Sequence, residues 1–526
     1  MFDLLIRNGR VIDGSGRPAQ ELDVAVQGDT LAAVEKIEGA KAAEVVDAAG
    51  RIVAPGFIDI HSHADQTLLV NPTADSLVLQ GVTTAVVGQC GETLAPLLDG
   101  TRDQMIAFRS NETARLPWER WSTFRGFLDT LSASGSSVNV VPFVGQGTIR
   151  GSVMGFGAGR ADRDQLARME AEVEKAMDAG AFGLSSGLEY PPGSYAAVDE
   201  LTAVARPAGR RGALYASHLR NEATHLLEAV DEAISVGRAT GAAVEISHLK
   251  ACWPAWDKLV PALERIDRAR AEGLDVTFDV YPYLASSTTL TLVLPPWAQD
   301  GGREATLVRL ADPAVRRRMA AEIREGEFGR PADWSKIMIS RSPDPGHEGR
   351  FVAEMAEESG KEPENWVFDA LRETGLEMKM VRFTMKEENL RLALRHPAGM
   401  IGSDSSALAA AGPLAQGKPH PRNFGTFPRV LGHYVREEKV LTLEEAVRKM
   451  TGAPAAKLHL ADRGLVRKGF KADLVLLDPE TIADRATYPS PFQYPVGIER
   501  VMVNGVTVAR NGVHTRQCPG RVLVRN

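Results

Sequence analysis

The chain has few cysteines, no long apolar run and no block of basic charge, and each lack removes a class of protein. Its three cysteines, Cys90, Cys252 and Cys518, are too few and too scattered for a disulfide framework. No segment approaches the ~20 uninterrupted apolar residues of a membrane span. Net charge is -7, and no Lys/Arg cluster rises above the background, which argues against nucleic acid as a partner. The opening residues, Met1 to Gly9, are too polar for a signal peptide. No Gly-x-Gly-x-x-Gly opens a helix after an early strand, so no dinucleotide domain is indicated. What remains is a globular chain of ordinary composition, 44% hydrophobic and 25% charged. It is expected to be cytoplasmic, with a small-molecule substrate and neither nucleic acid nor membrane as partner. The oligomeric state is left open.

The clearest local signal is Phe57-Ile58-Asp59-Ile60-His61-Ser62-His63. An apolar run starts after the turn signal Pro55-Gly56 and ends in two histidines one residue apart. On a strand such a pair points to one side, where two imidazoles can share one divalent metal. A lone His-x-His is weak evidence, so the rest of the chain must decide.

Further apolar segments recur: Thr83 to Val87, Val138 to Val144, Phe182 to Leu184, Leu214 to Ala216, Ala243 to Ile246, Val276 to Val280, and Met400 to Ile401. Helical spacing between them is clearest over Asp162 to Ala179 and Glu222 to Thr240. Eight strand–helix units predict an α/β protein with a (β/α)8 barrel; a doubly wound open sheet is the alternative. Short strands crowd both chain ends, with Asn8-Gly9 and Asn504-Gly505 as hairpin signals. They predict a small, discontinuous β-sandwich domain from residues 1–54 and 465–526, with the barrel over 55–464. Residues 290–375 break the alternation with Pro295-Pro296-Trp297, a charged helical run from Asp312 to Glu327, and the loop Arg341 to Gly346. They read as an insertion between barrel units seven and eight, a lid or subdomain.

Reactive side chains follow the predicted strands. His61 and His63 follow strand one, Cys90 strand two, His218 strand five, His248 strand six and Asp404 strand eight. In a barrel these ends surround one cup, where active sites sit. Singly, Cys90 reads as a small buried apolar group, His218 or His248 as a hydrogen-bonded histidine, and Asp404 as a helix cap. Four of the 11 histidines at strand mouths favour a joint metal site.

With those residues in place, the chain resembles the metal-dependent amidohydrolases, whose barrels carry His-x-His after strand one, histidines after strands five and six, and an Asp after strand eight. Many members have a carboxylated lysine after strand four. Here Gly183-Leu-Ser-Ser-Gly187 has none, and Cys90 would replace it, a swap similar to the N-acyl-D-amino-acid deacylases (D-aminoacylases). The motifs Phe182 to Ala196, Ser247-His-Leu-Lys250, Asp279-Val-Tyr-Pro-Tyr283 with Ser286-Ser287, and His420 to Arg429 look like that family too. Ser405-Ser406 after Asp404 departs from it, since a glycine is usual there.

The resemblance implies Zn2+, held tightly by Cys90, His218 and His248, with a second, weaker site at His61, His63 and Asp404. It implies Asp404 as the catalytic base and Lys250, Tyr281, Ser287, Tyr190 and Arg422 as substrate-binding residues. Thr288 to Trp297 offers methyl groups and an indole but no cation, so neutral or apolar D-amino acids are expected, with Arg220 the alternative partner if acidic ones are preferred. Rival readings are a cyclic-amide hydrolase of hydantoinase or dihydroorotase type, and an inactive scaffold.

Overall fold

Eight apolar segments become eight parallel strands in the computed structural model, which describes residues 1–108, 116–326 and 332–525. In chain order they are β1 (Phe57–Asp59), β2 (Val82–Val87), β3 (Asn139–Gly145), β4 (Gly183–Gly187), β5 (Leu214–His218), β6 (Ala243–Ile246), β7 (Val276–Val280) and β8 (Gly399–Ile401). Each pairs with the next, except that β8 follows β7 across a long excursion. Apart from Ala243 and Thr277, every residue in them is buried, as parallel strands covered on both faces require. Ile58, Val86, Val141, Phe143, Leu214 and Met400 meet in one cluster inside the barrel. Their neighbours Phe57, Val87, Val140 and Tyr215 join the larger core with the helices.

The barrel closes just past its strands. Asp404 donates its N–H to the His61 carbonyl and His63 donates to the Ser405 carbonyl, both at 2.8 Å. The Asp59 carboxylate accepts from the Ser403 N–H at 2.8 Å. Ser405, the departure noted above, is thus part of the seam.

The helix expected over Asp162 to Ala179 forms as Arg163–Asp178, its start fixed by a capping box between Asp162 and Gln165. The second expected helix begins later, at Leu226 rather than Glu222. The Asn221 side chain accepts the N–H groups of Ala223 and His225 at 2.9 and 3.0 Å, holding a turn where a helix would otherwise start.

Both chain ends build one nine-stranded sheet. Asn504-Gly505 makes a tight two-residue turn, with Val503 opposite Val506. Asn8-Gly9 does not make the expected hairpin: Phe2–Val11 is a single strand, and the pair forms a bulge where the register against the next strand shifts. The last residues leave this sheet and run along β3, where Val140 donates to Arg521 and Leu523 donates to Val140.

Between β7 and β8 lies the excursion. A three-stranded sheet of Ser286–Thr289, Lys379–Arg382 and Ile337–Arg341 packs with four helices around its own core of Leu290, Met319, Ile339 and Phe368. The charged run folds as Pro313–Glu325, capped by Asp312; Glu327 lies outside the described residues. Among the described residues no helix is long and apolar enough to cross a membrane.

Candidate metal centre and active site

The strand ends do converge. Cys90 Sγ lies 3.3 Å from His61 Nε2 and 3.5 Å from His248 Nε2. The His218 and His248 rings are 4.5 Å apart. Asp404 Oδ1 lies 3.2 Å from His63 Nε2 and 3.6 Å from His61 Nε2. The ligand atoms of Cys90, His218 and His248 lie within 4.8 Å of one another, as do those of His61, His63, Cys90 and Asp404. Cys90 belongs to both groups.

The electrostatics fit a cation held among these donors. Burial alone would push the Cys90 thiol up, but the His61 charge and a hydrogen bond from His218 hold it well below the usual thiol range. Burial opposes charge on His218 as well, yet Glu222 and Cys90 raise it to about 10. His63 is raised to about 10 against the same desolvation, by its hydrogen bonds to Asp404 and Cys90. Desolvation would raise Asp404, and the charges of Arg422 and His248 instead hold it well below the carboxylate range. Both ring nitrogens of His218 are buried and, among the described residues, lack a well-directed protein hydrogen bond. A thiolate, imidazoles and a carboxylate with such unspent donor capacity suit a divalent ion of zinc's type.

Two carboxylates that the sequence reading passed over orient the ring ligands. Asp279, at the end of β7, sits 3.1 Å from His61 Nδ1, and Glu222 sits 3.0 Å from His248 Nδ1. Asp279 favours the His61 tautomer that presents Nε2 to the centre, while His248 Nδ1 lies between Glu222 and Lys250. Asp279 was findable, since it ends a strand as the other site residues do. Glu222 was hidden because it read as the first turn of a helix. A third acid, Glu189 from the loop after β4, approaches His218 Nε2 at 3.5 Å.

The expected substrate-binding residues line one cup but are not equally available. Lys250 is buried and held by Glu222 at 2.5 Å, with His248 Nδ1 at 2.8 Å. Its charge is paired with Glu222 rather than free. Tyr281 presents a buried hydroxyl without a hydrogen-bond partner among the described residues, and burial pushes its pKa up, so it stays a donor. Arg422 lies 2.7 Å from Asp404 Oδ2 and donates to the Ser287 carbonyl at 3.3 Å. Tyr190 accepts from Thr288 Oγ1 and stacks edgewise on His218.

The expected apolar side-chain wall is only half right. Thr288, Thr289 and Leu292 reach the cup, but Trp297 turns away, donating to Glu322 at 2.6 Å beneath Arg318. The three-stranded sheet that carries Thr288 and Thr289 also brings Arg341, Lys379 and Arg382 to the cup. Arg220 is elsewhere, clamped by Glu232 and the carbonyls of Ser194 and Ala196.

The whole chain is similar to known proteins. Residues 44–509 match the model of the amidohydrolase family. A D-aminoacylase of Alcaligenes xylosoxydans xylosoxydans is 38% identical, over 100% of this chain and 98% of its own length. An N-acyl-D-glutamate deacylase of the same organism is 37% identical, over 100% and 97%. The solved N-acyl-D-glutamate deacylase of Bordetella bronchiseptica, complexed with zinc and a phosphonate inhibitor that mimics the tetrahedral intermediate, superposes with a TM-score of 0.83 at 34% identity, covering 99% of each chain.

Proposed function

The chain belongs to the amidohydrolase family, and from that premise we propose that it hydrolyses N-acyl-D-amino acids to a carboxylic acid and a free D-amino acid, with zinc as its metal. The observation that carries the reading is the Cys90, His218 and His248 cluster beside Asp404: a thiolate after β2 stands in for the lysine that β4 lacks. The named deacylases that match the whole chain support it. Cys90, His218 and His248 hold the tight ion, and His61, His63 and Asp404 face a weaker second position. We place the protein in the cytosol, where a cysteine ligand stays reduced.

Zinc held there supplies Lewis acidity toward the scissile carbonyl. The rest falls to the chain. Asp404, kept ionised by Arg422, takes the proton of the attacking water and delivers it to the leaving nitrogen. Tyr281 and Arg422 bind the α-carboxylate, and Ser287 fixes Arg422 through its carbonyl. Asp279 and Glu222 keep the imidazoles in place.

For the side chain, the expectation of apolar preference loses its premise. It rested on the absence of a counter-charge, and Arg341, Lys379 and Arg382 supply one. Among the described residues Arg382 has no ion-pair partner. A buried carboxylate is costly only when unpaired. We therefore assign the cup to acidic D-amino acids.

The test is a screen of N-acetyl-D- and N-acetyl-L-amino acids and hydantoins with metal analysis of the same protein. Turnover of D substrates alone, N-acetyl-D-glutamate or N-acetyl-D-aspartate above N-acetyl-D-leucine, and stoichiometric zinc are expected. Hydantoin turnover, or a protein free of metal, would overturn the reading.

A further inference from the structure

A second chamber opens off the catalytic cup and takes no part in the chemistry above. Tyr190, Leu292, Arg341 and Lys379 are among the residues that line both spaces, and the Tyr190 ring lies 4.8 Å from that of the metal-site residue His218. The mouth of the chamber is therefore one aromatic ring from the reacting centre. Its far wall is apolar. Phe108 and Phe156 pack with ring centroids 4.5 Å apart, and Leu376 and Met378 of the insertion face them. Gly302 keeps this wall close: its φ is +81°, and a Cβ there would lie 3.2 Å from Phe156.

The two spaces divide the substrate between them. The cup holds Tyr281, Arg382 and Arg422, which suit the charged amino-acid half. The other arm of a scissile amide is its acyl group, bonded directly to the carbonyl carbon. From the metal centre, the route that leaves Arg382 and Arg422 behind runs past Tyr190 into the chamber; Arg341 and Lys379 stand at the passage the two spaces share, and Arg303 on the chamber's lining is paired with Glu377. Beyond that passage, the aromatic and aliphatic far wall would gain from a hydrocarbon occupant.

Resting on the deacylase reading, we propose that this chamber is an acyl-binding site and that the natural substrates carry medium-chain aliphatic acyl groups rather than acetyl. The insertion between β7 and β8 then acts as a selector, since Leu292, Leu376 and Met378 are its own residues.

The experiment measures kcat/KM for N-acetyl-, N-butanoyl-, N-hexanoyl- and N-octanoyl-D-glutamate on the zinc-loaded enzyme. A rise of roughly threefold per methylene, the scale of transfer from water to an apolar site, is expected until the chamber is full. Thr291→Trp and Ala107→Trp, at a partly exposed and an exposed position on its lining, narrow it. Each is expected to lower the octanoyl-to-acetyl ratio by about tenfold or more. Acetyl substrates turned over while octanoyl ones are no better would overturn the acyl assignment and leave the deacylase reading standing. A Trp variant that shifts selectivity among amino-acid side chains, with the acyl ratio intact, would also overturn it. Turnover of no N-acyl-D-amino acid would remove both.

Discussion

At the scale of single residues, three of the proposed ligands share an uncommon backbone. Cys90, His248 and Asp404 have φ of 53°, 37° and 51°, the left-handed region that non-glycine residues seldom enter. Strain of this kind persists where surrounding structure fixes it and clusters at functional sites. It aims each side chain from a strand end back across the cup. Cys90→Ala removes a ligand and its charge while leaving the barrel core intact, so the purified variant should stay folded and lose most of its zinc by elemental analysis. Cys252 and Cys518, outside both ligand groups, should be replaceable with zinc retained. Asp404→Asn suits the same φ, since asparagine tolerates it, but cannot accept a proton. Its kcat should fall by ~10²-fold or more, with zinc at Cys90, His218 and His248 unchanged; near-normal turnover would assign the base elsewhere. Glu222→Gln should weaken zinc binding by roughly 10- to 100-fold, the usual effect of losing a carboxylate behind a ligating histidine, read by competition with a chelator.

At the scale of elements, the eight barrel strands were legible because buried parallel strands leave continuous apolar runs. What was not legible was context. Asn8-Gly9 and Asn504-Gly505 are the same dipeptide, yet only the second turns the chain. The first lies in a strand that neighbours both the N-terminal strands and Ile52–Pro55, and a Cβ on Gly9 would lie 2.7 Å from Val53. Glu222 was lost to the same blindness: its helical spacing is real, but the Asn221 side chain claims the backbone donors first. The three cations of the cup were invisible for another reason, since they reach it from a sheet formed inside the insertion. Strand eight offers a direct check. A Cβ on Gly402 would sit 2.7 Å from both the His61 Cβ and an Asp279 carboxylate oxygen. Gly402→Ala should therefore push apart the pair that orients His61, with zinc affinity and kcat both falling.

At the scale of the whole molecule, the terminal sheet and the barrel are held to one another by chain that returns. Residues 520–525 bond along β3 and to Gly180. Deleting residues 517–526 should leave that side of the barrel without those partners and lower Tm by several degrees in a thermal melt; an unchanged melt would show that the tail is ornament.

The seam between β1 and β8 also sets a clock. Ser62 and Ser405, which join there, are 343 positions apart, so their union carries a large closure entropy and belongs to the slow, non-local part of folding. His63 and Asp404 flank that seam and meet only when it closes. A chain with most of its secondary structure in place but its last strand undocked has no complete centre, and cannot cut amides on the way to its native state. After dilution from denaturant, hydrolysis should reappear later than far-ultraviolet ellipticity, and the lag between them is the docking time of β8.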